Sequence, residues 1–194
     1  MGLLTAMAST PGPSSDALSP GASQGFSLAA VVQSPTGHVV SLARGKRATI
    51  VMAMATWCHY CAYEDRWVWP RLADRAGVAI DIVDVSPYRG IARPGPEYPA
   101  FSGTDGVLRP TNTAGMAAAL RRYARRDRAA GATRLHWYVA PAATRRAWNV
   151  PVFPDTWFVA SAAKRIVHQT GALTQVEART ALAEALVGAP ASHR

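Results

Sequence analysis

Cysteine is nearly absent from this chain: 194 residues hold only Cys58 and Cys61, with two residues between them. No further cysteines remain for structural disulfides, so the fold has to stand on its apolar core, and disulfide density gives no reading of compartment. Neither a second CxxC nor a spaced histidine pair is present to complete a zinc site. No metal and no cofactor beyond a Cys58–Cys61 redox disulfide is therefore expected. Acidic residues are also scarce, 12 against 21 Lys and Arg, and Lys46 and Lys164 are the only lysines. No apolar run reaches the roughly 18 residues that a membrane-spanning helix needs. Zinc-finger, helix-turn-helix and RNA-binding aromatic signatures are missing, so the net charge of +9 does not point to nucleic acid.

What is present suits one domain with a tail. The chain is 49% hydrophobic, and six Trp with six Tyr supply large pieces for one core or a binding face. Residues 1–25 are rich in Ala, Ser, Pro and Gly, with Asp16 as their only charge. Such a segment cannot offset its ordering entropy and reads as a disordered tail or tether. It lacks the basic and long apolar regions of a signal peptide. The expectation is a cytoplasmic protein, or one numbered from after a removed leader or anchor.

Beyond residue 25 the pattern turns regular. Phe26-Ser27-Leu28, a turn at Ser34-Pro35-Thr36-Gly37 and an alternating Val39–Leu42 predict an N-terminal hairpin. The continuous apolar run Ala48–Ala55 predicts a strand buried on both faces. Helix-compatible residues follow from Ala62 to Ala76, with Trp67, Leu72 and Ala76 on one side and Glu64, Arg71 and Arg75 toward another; Pro70 should kink or split that helix. Val78–Val85 is the next strand, and a strand–helix–strand unit makes the two strands parallel. Residues 87–113 carry several Pro and Gly and predict a long loop. That loop leaves the same sheet edge as the CxxC, so Tyr88, Tyr98 and Phe101 could wall a substrate site. A helix over Ala114–Ala130, a strand over Arg134–Val139 and a helical turn over Ala142–Trp148 come next. The hairpin Asp155–Ala160 with Arg165–Thr170 then leads to a last helix, opened by a capping box at Thr174–Glu177, with Leu182, Leu186 and Val187 toward the core. Arg121, Arg122, Arg125, Arg126 and Arg128 cover one face of the 114–130 helix, either as a solvated face or as a docking surface for an acidic partner.

The motif at the centre is Trp57-Cys58-His59-Tyr60-Cys61 between a buried strand and a helix. That is the redox arrangement of a thioredoxin-like domain. Over about residues 26–187 the chain resembles the TlpA/ResA/DsbE-like branch of the thioredoxin superfamily. The resemblance rests on the hairpin, Ala55-Thr56-Trp57-Cys58 with Cys61, Glu64 one turn on, Val150 through Pro154 to Thr156, and Gly171. It implies an α/β fold with a central mixed sheet flanked by helices, an N-terminal hairpin and an insertion after the second core strand. The expected domain is 26–190. Three features depart from the family: no Pro early in the active-site helix, a longer 87–113 insertion, and Asp155 after the expected cis-Pro154.

At the helix N-terminus Cys58 should be the lowered-pKa nucleophile, and Cys61, one turn in, the thiol that resolves the mixed disulfide. His59, if protonated, would favour the Cys58 thiolate and an oxidising pair; as a rim residue it would do little. Met52 occupies the place of the superfamily's buried acid and cannot relay a proton. The resemblance therefore assigns proton acceptance from Cys61 to Glu64. Trp57, His59, Tyr60, Phe153, Pro154 and Asp155 are candidate substrate-binding residues, with Pro151 the competing cis-proline. Asp155 could repel acidic substrates or raise the thiol pKa values. The expected activity is thiol–disulfide exchange with cysteine-containing proteins, as a TlpA/ResA-like reductant served by an upstream electron donor or acceptor protein. A DsbA-like oxidase or isomerase is the alternative, and a redox-inactive binding module the alternative of another class. A monomer is expected, extracytoplasmic by resemblance, with a membrane tether through a missing N-terminus as one form of this.

Overall fold

The computed structural model describes residues 25–94, 101–129, 134–162 and 165–187. The expected tail, apart from Gly25, lies outside these residues, as do Tyr98 and the side chains of Phe101 and Arg128.

The chain builds β1 (Val31–Gln33), β2 (Val39–Ser41), β3 (Ala48–Met54), α1 (His59–Trp67), α2 (Trp69–Ala73) and β4 (Val78–Asp84). There follow β5 (Tyr88–Pro94), β6 (Phe101–Pro110), α3 (Thr113–Ala129) and β7 (His136–Val139). The last elements are α4 (Ala142–Trp148), β8 (Asp155–Ala160), β9 (Ile166–Thr170) and α5 (Gln175–Leu186). Seven strands form one mixed sheet in the order β2-β1-β7-β4-β3-β8-β9. β3 runs parallel to β4 and antiparallel to β8. This is the expected mixed sheet flanked by helices.

β3 is buried along its whole length, as a central strand covered on both faces must be. Its alternate residues serve two cores. Ile50, Met52 and Met54 face α1, α2, α3 and α5; Val51 and Ala53 face the side closed by α4 and the N-terminal segment. The strand ends at the sheet edge from which the Trp57–Cys61 turn departs. That placement puts both cysteines above the larger core.

Several expectations are corrected. β1 forms from Val31–Gln33 rather than Phe26–Leu28, because Phe26 stacks on Trp157 at 4.3 Å and packs against Trp148. Pro70 does split the first helix, at Val68, where its missing N–H suits the start of α2. The split rotates the second half, so Trp69 is fully buried and Trp67 only half-buried. Val187 does not face the core; it is exposed beyond the end of α5. The capping box at Thr174 forms, with Glu177 N–H donating to the threonine hydroxyl and the Glu177 carboxylate accepting from Thr174 N–H. On α3, Leu120, Tyr123 and Ala124 are buried, while Arg121, Arg122 and Arg125 are exposed.

The largest correction concerns residues 87–113. They contain an antiparallel ribbon, β5 with β6, in place of an irregular loop. Register shifts between Arg89 and Ile91 and between Ala92 and Pro94 absorb Gly90 and, on β6, Gly103 and Gly106, which in the sequence suggested a loop.

Candidate active site

Cys58 is the N-cap of α1, with extended backbone at φ −80° and ψ 122°. Its Sγ accepts the Cys61 N–H at 3.2 Å, in the manner of a Ser or Thr cap satisfying a free first-turn donor. Both cysteines are thiols here, and both are buried. The thiol of Cys61 lowers the pKa of Cys58 most, with backbone N–H groups of Cys61 and Tyr60 adding to it; burial acts in the opposite direction. Cys61 is pushed well up, first by burial, then by its contact with Cys58 and by the negative charge of Asp65. Adjacent thiols with opposite shifts suit a nucleophile and a resolving group respectively.

Glu64 is fully buried, against the polar face drawn for it from the sequence. Leu173 N–H, on the loop after β9, donates to its Oε1 at 2.5 Å. Burial drives its pKa well up, the Leu173 bond works against this, and the Asp65 and Cys58 charges push the same way as burial. Met52, also fully buried, accepts the indole N–H of Trp69 on Sδ at 3.0 Å.

The two loops around the thiols are locked in place. Trp57 meets Phe153 edge-on at 5.8 Å, and its indole N–H donates to Ser86 Oγ at 2.9 Å. Ser86 N–H in turn donates to the buried Asp84 carboxylate at 3.1 Å. The Phe153–Pro154 peptide is cis, and the Pro154 carbonyl accepts Gly171 N–H at 2.9 Å. The ribbon joins the same edge: Ala92 N–H on β5 donates to the Thr56 carbonyl at 2.8 Å. β5 therefore runs beside the turn that carries the cysteines, with Tyr88 exposed.

Other predicted residues fall differently. His59 is half-buried, and burial lowers its pKa, which favours the neutral imidazole over a positive charge beside Cys58. Tyr60 is exposed. Asp155 is buried and bound, accepting from His168 Nε2 at 2.7 Å and Thr170 Oγ1 at 2.9 Å on β9, so it presents no open charge to a substrate. Among the described residues no group of three or more His, Cys, Asp or Glu is placed to hold a metal.

Sequence reasoning passed over Asp65. It is fully buried, and Tyr123 Oη of α3 donates to its Oδ2 at 2.5 Å. The signal was available: Cys61, Glu64 and Asp65 stand at i, i+3 and i+4, which places both acids one turn beyond the second cysteine.

No family model matches the sequence, and no curated protein matches it. Among solved structures the chain is similar to DsbF of MTB, at 13% identity and a TM-score of 0.54, over 81% of this chain and 96% of that one. It is similar at 13% identity and a TM-score of 0.52 to a secreted Mycobacterium tuberculosis disulfide oxidoreductase homologous to E. coli DsbE, over 81% and 96%. A thioredoxin-like protein of Aeropyrum pernix matches at 11% identity and 0.53, over 81% and 89%. At such identities the likeness concerns the fold. The chain has a thioredoxin-like fold.

Proposed function

We propose that the protein is a thiol–disulfide oxidoreductase that exchanges disulfides with protein substrates through Cys58 and Cys61. One observation carries the reading: Cys58 caps α1 with its thiol as acceptor, while Cys61 lies buried one turn behind it. In the reducing direction the Cys58 thiolate attacks a substrate disulfide, one substrate sulfur leaves as thiolate, and a mixed disulfide forms. Cys61 gives up its proton, with Glu64 in its ionised form as the acceptor, and attacks Cys58 Sγ. The Cys58–Cys61 disulfide forms as the second substrate sulfur leaves, and an upstream electron donor returns the pair to thiols.

We favour the reducing direction because a neutral His59 removes the charge that would have favoured an oxidising pair. A second observation supports the reverse: the lowered pKa of Cys58 stabilises the reduced form, which makes a disulfide more oxidising. Partners in this reading are cysteine-containing proteins. In this reading Trp57, Phe153 and Pro154 contact an extended substrate segment. An extracytoplasmic location belongs to the same reading, supported by the secreted character of one structural neighbour.

The deciding experiment is the equilibrium potential of the Cys58–Cys61 pair against dithiothreitol and glutathione buffers. A value near about −270 mV marks a reductant and one near about −120 mV an oxidant. Failure both to reduce insulin and to oxidise a dithiol peptide would overturn the reading.

A further inference from the structure

Two buried acids lie next to the cysteine pair, and the exchange chemistry above uses only Glu64. They diverge in their partners. Glu64 is held by the loop after β9, through Leu173 N–H. Asp65 is held by α3, through the hydroxyl of Tyr123, and both of these side chains are fully buried. The Arg126 guanidinium lies 5.0 Å from the centre of the Tyr123 ring. A carboxylate without solvent is retained only where hydrogen bonds and nearby charge hold it. The groups near Asp65 include Cys61 and Glu64 on its own helix and, on α3, Tyr123, whose ring carries Arg126. Arg71 of α2, Arg89 of β5 and Arg109 of β6, on the other elements packed against α1, are exposed.

The geometry points to Asp65 as a positioning residue for the resolving thiol: fixed by Tyr123, it holds a negative charge beside Cys61 and so sets when that thiol can attack. This rests on the exchange reading above and deepens it. The attacking species at the resolving step is the Cys61 thiolate. Its formation puts a second negative charge beside the Asp65 carboxylate, and like charges in a water-free site oppose one another. The proton on Cys61 is accordingly retained until it passes to Glu64. The thiolate then attacks Cys58 Sγ, the mixed disulfide breaks, the internal disulfide forms, and the leaving thiolate takes up a proton. Asp65 itself neither gains nor loses a bond. Its charge raises the pKa of both Cys61 and Glu64, in keeping with that placement.

The test reads Cys61 without any protein substrate. Cys58 is converted to its mixed disulfide with thionitrobenzoate, and release of the coloured thiolate by Cys61 is followed from pH 5 to 10. In Asp65→Asn the amide oxygen can still accept from Tyr123 but carries no charge. The midpoint of the rate–pH profile should fall, and release at pH 7 should quicken by about three- to tenfold. Tyr123→Phe removes the hydrogen bond that holds the buried carboxylate ionised, so its midpoint should fall as well, by less. Asp65→Glu, which keeps the charge, should return the midpoint toward that of the wild type, whereas loosened packing would lower it in that variant too. An unchanged or raised midpoint in Asp65→Asn, or a midpoint in Asp65→Glu as low as in Asp65→Asn, overturns the proposal. If Asp65→Asn does not fold, Tyr123→Phe decides, since an unchanged or raised midpoint is the contrary result. Insulin reduction and dithiol oxidation by the wild type are measured in parallel. Their absence would count against the exchange function while leaving the Asp65 result to stand separately.

Discussion

Leu173 N–H and Glu64 Oε1 are 2.5 Å apart, joining the loop after the last strand to the helix that carries the redox pair. Glu64 is thereby a buried carboxyl with one firm donor, and the native state keeps its proton to higher pH than the unfolded chain does. A pKa raised on folding gives stability that is fully present below the unfolded value, about 4.5, and lost as pH rises through the native one. Glu64→Gln retains an acceptor for Leu173 and does not titrate. Wild type should therefore lose stability relative to this variant as pH climbs from about 4.5 toward 8. Urea midpoints at several pH values measure it, and a difference that stays constant with pH would contradict the assignment.

The low pKa of Cys58 depends chiefly on the Cys61 thiol. Cys61→Ala removes that donor and leaves the backbone N–H in place. The alkylation midpoint of Cys58 should move up toward the ordinary thiol value, slowing iodoacetamide reaction at pH 7 by roughly three- to tenfold. Cys61→Ser, which restores a hydroxyl donor, should fall between the two. Equal midpoints in all three proteins would show that the helix N-terminus alone sets the thiolate.

These relationships were unevenly legible in the sequence. The β3 run, the CxxC, the split at Pro70 and the Thr174 cap follow from local chemistry, because one short stretch contains both the cause and the effect. Gly171 and Pro154 could be matched by motif, but not the hydrogen bond between them. Glu64 could be reached through the resemblance, whereas Asp65 was passed over. Two adjacent acids on a short helix could read as a solvated face, but the loop after β9 donates to Glu64 and α3 donates to Asp65. The ribbon was hidden by its own composition. Among the described residues Gly90, Pro94, Gly103, Gly106 and Pro110 sit at strand ends and register shifts, where they break pairing locally and leave the strands intact.

Trp57 is held to Ser86 across the mouth of the site by a single 2.9 Å hydrogen bond. Trp57→Phe and Ser86→Ala should each cost about 1 kcal/mol, the usual net contribution of such a bond. The double variant should cost little more than either one, because the second change removes a partner already lost. Guanidinium titration of the four proteins gives the coupling. Additive losses would mean that the two side chains act independently.

Gly171 and Gly37 both adopt φ 92°, and a Cβ at either would meet nothing within 4 Å. Substitution by Ala is therefore opposed by backbone strain and not by crowding, at a cost of about 1–2 kcal/mol in each case. Their surroundings differ. Gly37 turns β1 into β2 and donates to Ser34 at 2.9 Å, whereas Gly171 donates to Pro154 beside the cysteines and stands two residues before the donor to Glu64. Gly37→Ala should lower stability and leave the reactivity of Cys58 and Cys61 as it is. Gly171→Ala should lower stability by a similar amount and also change the thionitrobenzoate release rate, since it disturbs both the Pro154 carbonyl and the Leu173 N–H. Matched urea midpoints with a rate change in Gly171→Ala alone would place this glycine among the determinants of the site. Equal rates in the two variants would confine it to the fold.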